Sequence, residues 1–73
     1  MAKRQRHYEV LGEMTKEEYR AIRQGIGWSQ KTLAENLGVV EHTVQEKESG
    51  RLAINVRDEL SMRWLRAKER GAL

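Results

Sequence analysis

The 73-residue chain contains no cysteine and no proline. Without cysteine there is no disulfide to staple a small fold and no thiolate to hold a metal, which fits a reducing compartment such as the cytoplasm. The two histidines, His7 and His42, stand too far apart in the sequence to read as a metal site. No apolar run approaches the roughly 18 residues needed to cross a bilayer, and none resembles the core of a secretory leader. The lack of proline and a charged fraction of 34% suit short helices with solvated faces better than a β-sandwich. No glycine-rich phosphate loop precedes a helix, and no serine, histidine and acid recur in a local motif. A core this small also leaves little room for a catalytic pocket. An enzyme, a cofactor and a bound metal are therefore not expected.

The chain does have a modest excess of positive charge. Lysine and arginine number 14 against 11 acids, a net charge of +3. That favours a polyanionic partner without requiring one. The length allows one domain.

The most informative stretch runs from Gln30 to Gly50. Leu33, Ala34 and Leu37 share one face of a short helix. Ser29 is placed to cap its start, and Gly38 to end it in a left-handed turn. Val40 and Val44, four apart, begin a second inward stripe, and Gly50 closes that helix. Between the apolar points lies the polar run Glu41, His42, Thr43, Gln45, Glu46 and Lys47. Two helices joined by such a turn make a helix-turn-helix, whose second helix is shaped for a DNA major groove.

Gln30, Leu33, Ala34, Leu37, Gly38, Val39, Thr43, Val44, Glu48 and Gly50 together resemble the pattern of the lambda-repressor-like (Xre/Cro-type) helix-turn-helix domains. The likeness extends over about residues 14–65. It implies an all-α fold of four or five helices, with sequence-specific binding of double-stranded DNA by a homodimer, most simply a repressor. Glu41, His42, Thr43, Gln45 and Glu46 are then the candidates to meet base edges. Gln45 suits a bidentate pair with adenine, and Glu41 or Glu46 an amine of cytosine. The likeness puts Gln30 against the DNA backbone and Arg51 on a phosphate. Lys31, Lys47, Asn55 and Arg57 are further candidates for backbone contact. It also implies an ion pair between Arg23 and Glu48. Three departures stand out. Val40 occupies a capping position that usually carries serine or threonine, the helix carries three glutamates, Glu41, Glu46 and Glu48, against one lysine, and Lys47 stands where an apolar residue is usual.

The remaining segments are read from their patterns. Residues 1–13 carry Lys3, Arg4, Arg6 and His7, either as a frayed end or as a basic arm on the DNA. The folded body spans residues 14–70, and residues 71–73 form a tail. Thr15 and Glu18 form a capping box, and Met14 and Tyr19 a hydrophobic staple. Tyr19, Ile22 and Ile26 line the inner side of the first helix, which Gly25 and Gly27 end, and Trp28 is read as core. Leu52 and Ile54 are expected to plug the gap before the last helix, which Asn55 caps. In that helix Val56, Leu60, Trp64 and Ala67 form one apolar face for the core. Met62 and Leu65 point elsewhere and are assigned to the dimer contact. Arg63, Arg66, Lys68 and Arg70 are read as a solvated basic face. The rival function is a protein-binding module, an antitoxin holding a toxin or an adaptor, with DNA binding secondary.

Overall fold

A computed structural model of the chain describes residues 12–71. Most of the expected basic arm and of the tail thus lies outside the described residues. Among the described residues the fold is all-α, with four helices: α1 Lys16–Ile26, α2 Gln30–Leu37, α3 Glu41–Ser49 and α4 Val56–Glu69. Helix α1 is central, packing on α3 and α4, and α2 packs on α3. No described helix is long and apolar enough to cross a membrane.

The helix ends follow from local chemistry. Thr15 Oγ1 accepts from the Glu18 amide at 3.0 Å, and Glu18 Oε1 accepts from the Thr15 amide at 2.9 Å. This reciprocal pair satisfies two amides that an α-helix leaves without partners. Met14 and Tyr19, on either side of it, are both buried. Helix α1 runs through Gly25 and stops only at Gly27, in the left-handed region. Ser29 caps α2, with the Thr32 amide 3.1 Å from its hydroxyl. Asn55 and Asp58 repeat the capping box at α4. Helix α3 starts without a side-chain cap, since Val40 has no acceptor to offer. Gly38, at φ 74°, makes the turn between α2 and α3, a conformation that costs glycine little because it lacks a Cβ.

The core comprises Met14, Tyr19, Ile22, Leu33, Ala34, Val44 and Met62, with Ile26, Trp28, Leu37, Ile54 and Leu65 packed around it. The Tyr19 phenol is pushed up to about 12, first by burial and then by the carboxylates of Asp58 and Glu48, so it stays neutral.

Helix α4 corrects the sequence expectation. Met62 is fully buried and Leu65 packs on the core, so Met62 is not available to a dimer contact. Val56, Leu60 and Trp64 are instead 44%, 50% and 51% exposed. The reason lies in the acids beside Met62. Asp58 pairs with Lys47, and fully buried Glu59 accepts from the Gly12 amide at 2.5 Å and from Arg63 at 2.7–2.8 Å. These bonds turn the side carrying Asp58, Glu59, Met62 and Leu65 inward, and the apolar stripe on the far side faces out. Arg63 is therefore bonded to Glu59 instead of standing free on a solvated face. Leu52 is also largely exposed, leaving Ile54 alone to fill the gap before α4.

This inversion separates two substitutions that look alike in the sequence. Met62→Ala is expected to lower the unfolding free energy by about 2–5 kcal/mol, in the range for truncating a buried side chain. Leu60→Ala should cost under ~1 kcal/mol, as at an exposed site. Urea denaturation of both variants checks the ordering.

Candidate nucleic-acid interface

Helix α3 presents two unlike sides. Val44, Lys47 and Glu48 are buried, while Glu41, His42, Gln45 and Ser49 are exposed and Thr43 and Glu46 half-exposed. At 3.6 residues per turn, Glu41, His42, Gln45, Glu46 and Ser49 form one continuous outward strip. Thr43 lies off its edge. The side chains on this strip bond within the helix: His42 Nε2 stands 3.1 Å from Glu46 Oε2, and Gln45 approaches Glu41 loosely at 3.5 Å. Four of the five candidate base-reading residues are thus brought together.

The strip is held in place from behind. The Arg23 guanidinium from α1 meets the Glu48 carboxylate with two hydrogen bonds, Nε to Oε2 at 2.6 Å and Nη2 to Oε1 at 3.0 Å. The remaining Arg23 nitrogen donates to the Trp28 carbonyl at 2.9 Å, tying in the α1–α2 connection. Gln30 Nε2, on the first turn of α2, donates to Glu48 Oε1 at 3.1 Å. Arg20 adds a longer approach at 3.5 Å to the same oxygen and donates to the Glu48 carbonyl at 3.3 Å. One carboxylate therefore joins α1, α2 and α3. Burial pushes the Glu48 carboxyl up, but the hydrogen bonds from Arg23 and Gln30 and the nearby guanidinium charges outweigh it and hold it below the usual carboxylate range. The bond to Glu48 raises Arg23 in turn.

Lys47 corrects a second expectation. It is buried, and its ammonium pairs with Asp58 on α4, so it is not free to contact a DNA backbone. A cation at an inward position is tolerated here because the partner carboxylate meets it where its stem ends. The other backbone candidates lie before and after α3 in the chain. Gln30 and Lys31 open α2, with Gln30 half-buried and Lys31 exposed. Arg51, Asn55 and Arg57 are exposed in the connection to α4 and on its first turn. Asn55 already uses its side-chain oxygen on the Asp58 amide at 2.8 Å. Arg20 was not singled out in the sequence. Its position three residues before Arg23, on the same face of α1, is the signal that points to it. No group of three metal-ligating side chains occurs among the described residues.

The outward strip is neutral to acidic, and Arg20 lines the cleft that reaches Glu41 at its start. The strip holds Glu41 and Glu46 and no lysine or arginine. It offers hydrogen-bonding groups to an incoming partner.

The Glu48 network should be visible in stability. Arg23→Ala leaves a buried carboxylate with weaker partners, an expected loss of about 3–5 kcal/mol, nearer the lower figure because Gln30 and Arg20 remain. The folded value of Glu48 lies below its unfolded one. Its contribution is thus fully present above the ordinary value of 4.5 and is lost as pH falls through the depressed folded value. Urea midpoints between about pH 6 and about pH 3 should fall less steeply for Glu48→Gln than for the wild-type chain. No protein-family model, curated protein or solved structure matches this chain.

Proposed function

We propose that this chain is a sequence-specific binder of double-stranded DNA that acts as a small homodimeric transcriptional regulator, most simply a repressor. In this reading α2, the Gly38 turn and α3 form a helix-turn-helix of the lambda-repressor-like kind, and α3 enters the major groove. The observation that carries the reading is the outward strip of α3. Its side chains are free of the protein body, while Glu48 and Lys47 lock the opposite side to α1, α2 and α4. A rigid rod with an unengaged polar side is what direct base readout requires.

The charge distribution fits a duplex. Phosphates lie beside a groove and base edges at its floor. Lys31, Arg51 and Arg57 are exposed on the segments that precede and follow α3 in the chain, and Glu41, His42, Gln45 and Glu46 lie on its outward side. Carboxylates in the centre accept from base amines and are unsuited to guanine, whose major-groove edge carries acceptors alone. With Met62 buried, the apolar surface that α4 itself offers a second copy is the stripe of Val56, Leu60 and Trp64.

That same stripe favours one other reading, a module that binds another protein and uses DNA secondarily. Contiguous exposed apolar side chains rimmed by charge are a common mark of protein contact.

Selection of bound sequences from a random duplex pool separates the two. The regulator reading expects an inverted repeat with half-site centres about 34 Å apart. Recovery of no preferred sequence removes it. On the selected duplex, Gln45→Ala should cost about 1–3 kcal/mol and relax preference at one base pair, whereas Arg51→Ala should weaken all duplexes alike. If Gln45→Ala, His42→Ala and Glu46→Ala combined keep the preference, α3 is not the reader.

A further inference from the structure

Two cations of α1, Lys16 and Arg20, have no part in the reading above. They stand four residues apart, hence on one face of the helix, and both are exposed. The packing of α1 on α3 brings them to the last turn of α3. Arg20 Nη2 donates to the Glu48 carbonyl, and the Lys16 ammonium lies 3.3 Å from where a Cβ on Gly50 would stand. With Glu17, Glu48 and Ser49 they line a cleft of about 310 Å³. Ser49 belongs to the outward strip of α3. Arg20 also lines the adjoining cleft that reaches Gln30 and Glu41. The two cations therefore border the surface proposed to meet DNA.

The charges in this cleft do not cancel. Glu48 is already matched by the bidentate Arg23. Lys16 has no ion-pair partner among the described residues. Glu17, on the first turn of α1, is the remaining acid, so two cations face one uncompensated carboxylate. The Ser49 hydroxyl donates to the Glu46 carbonyl at 3.0 Å and can turn toward an incoming acceptor.

We infer that Lys16 and Arg20 hold a backbone phosphate of the duplex at the C-terminal end of α3, in the role that the sequence assigned to Lys47. The inference rests on the duplex-binding reading. The ammonium acts as a point charge and the half-exposed guanidinium as a directional donor. A purely structural role is the competing account, since cations also stabilise the C-terminal end of a helix. The two accounts differ in salt dependence, because a phosphate contact releases counterions and a contact within the protein does not.

The test measures binding of the full chain by fluorescence anisotropy across a salt series, on the selected duplex and on a random one. Lys16→Ala is expected to weaken both duplexes alike, to make the log–log salt slope shallower by about 0.9, and to leave the urea midpoint unchanged. Lys16→Arg should keep the wild-type slope. Where the wild-type chain binds, an unchanged slope in both Lys16→Ala and Lys16→Ala/Arg20→Lys overturns the inference and leaves the duplex reading standing. A fall in urea midpoint with an unchanged slope assigns the pair to structure and overturns it too. A wild-type chain that binds no duplex overturns the reading beneath it.

Discussion

The Glu48 carboxylate is the constraint on which the arrangement of the helices depends. It is almost wholly buried, and it is satisfied by an arginine from α1 and an amide from α2. On the inner side of α3, Val44 is the one fully buried apolar side chain, and Lys47 and Glu48 flank it. Ordinary amphipathic packing would leave such a helix poorly specified. Two ion pairs specify it instead. Rotating α3 about its axis would strand both charges away from their partners, at a cost of several kcal/mol for each. The pairs add less to net stability than their short distances suggest, because desolvation offsets much of the attraction, but they discriminate strongly among orientations.

The same logic governs α4. Its inner side carries Asp58 and Glu59 together with Met62 and Leu65, and bonds to Lys47, Gly12 and Arg63 fix that side inward. Glu59 is buried, but the bonds from Arg63 and the Gly12 amide outweigh that burial and hold its carboxyl below the usual carboxylate range. The exposed apolar stripe on α4 is thus a by-product of where the acids had to go. It leaves Leu60 and Trp64 at the surface beside Leu37 and Leu65.

These two helices also mark where sequence reasoning succeeded and where it stopped. Caps and turn glycines were legible, because a cap is a local exchange between residues three apart: Thr15 with Glu18, Ser29 with Thr32, Asn55 with Asp58. The inner sides of α1 and α2 were legible through Tyr19, Ile22, Leu33 and Ala34, whose apolar spacing follows the helical period. The Arg23–Glu48 pair came from family resemblance, since nothing local joins residues 25 apart in the chain. The facing of α4 was misread because periodicity counts apolar side chains, and half of the true inner side is acidic. Lys47 was misread for the same reason, its partner lying eleven residues away. Lys16 and Arg20 were overlooked because their neighbours are supplied by α3 and not by α1.

The split within α3 has an evolutionary corollary. Glu41, His42, Gln45 and Glu46 make side-chain bonds only to one another among the described residues, while every tie from α3 side chains to the other helices runs through Val44, Lys47 and Glu48. Substitutions on the outer strip are therefore nearly decoupled from folding. A lineage could drift through many outer strips without passing through an unfolded intermediate, so this surface is free to diverge faster than the scaffold that carries it.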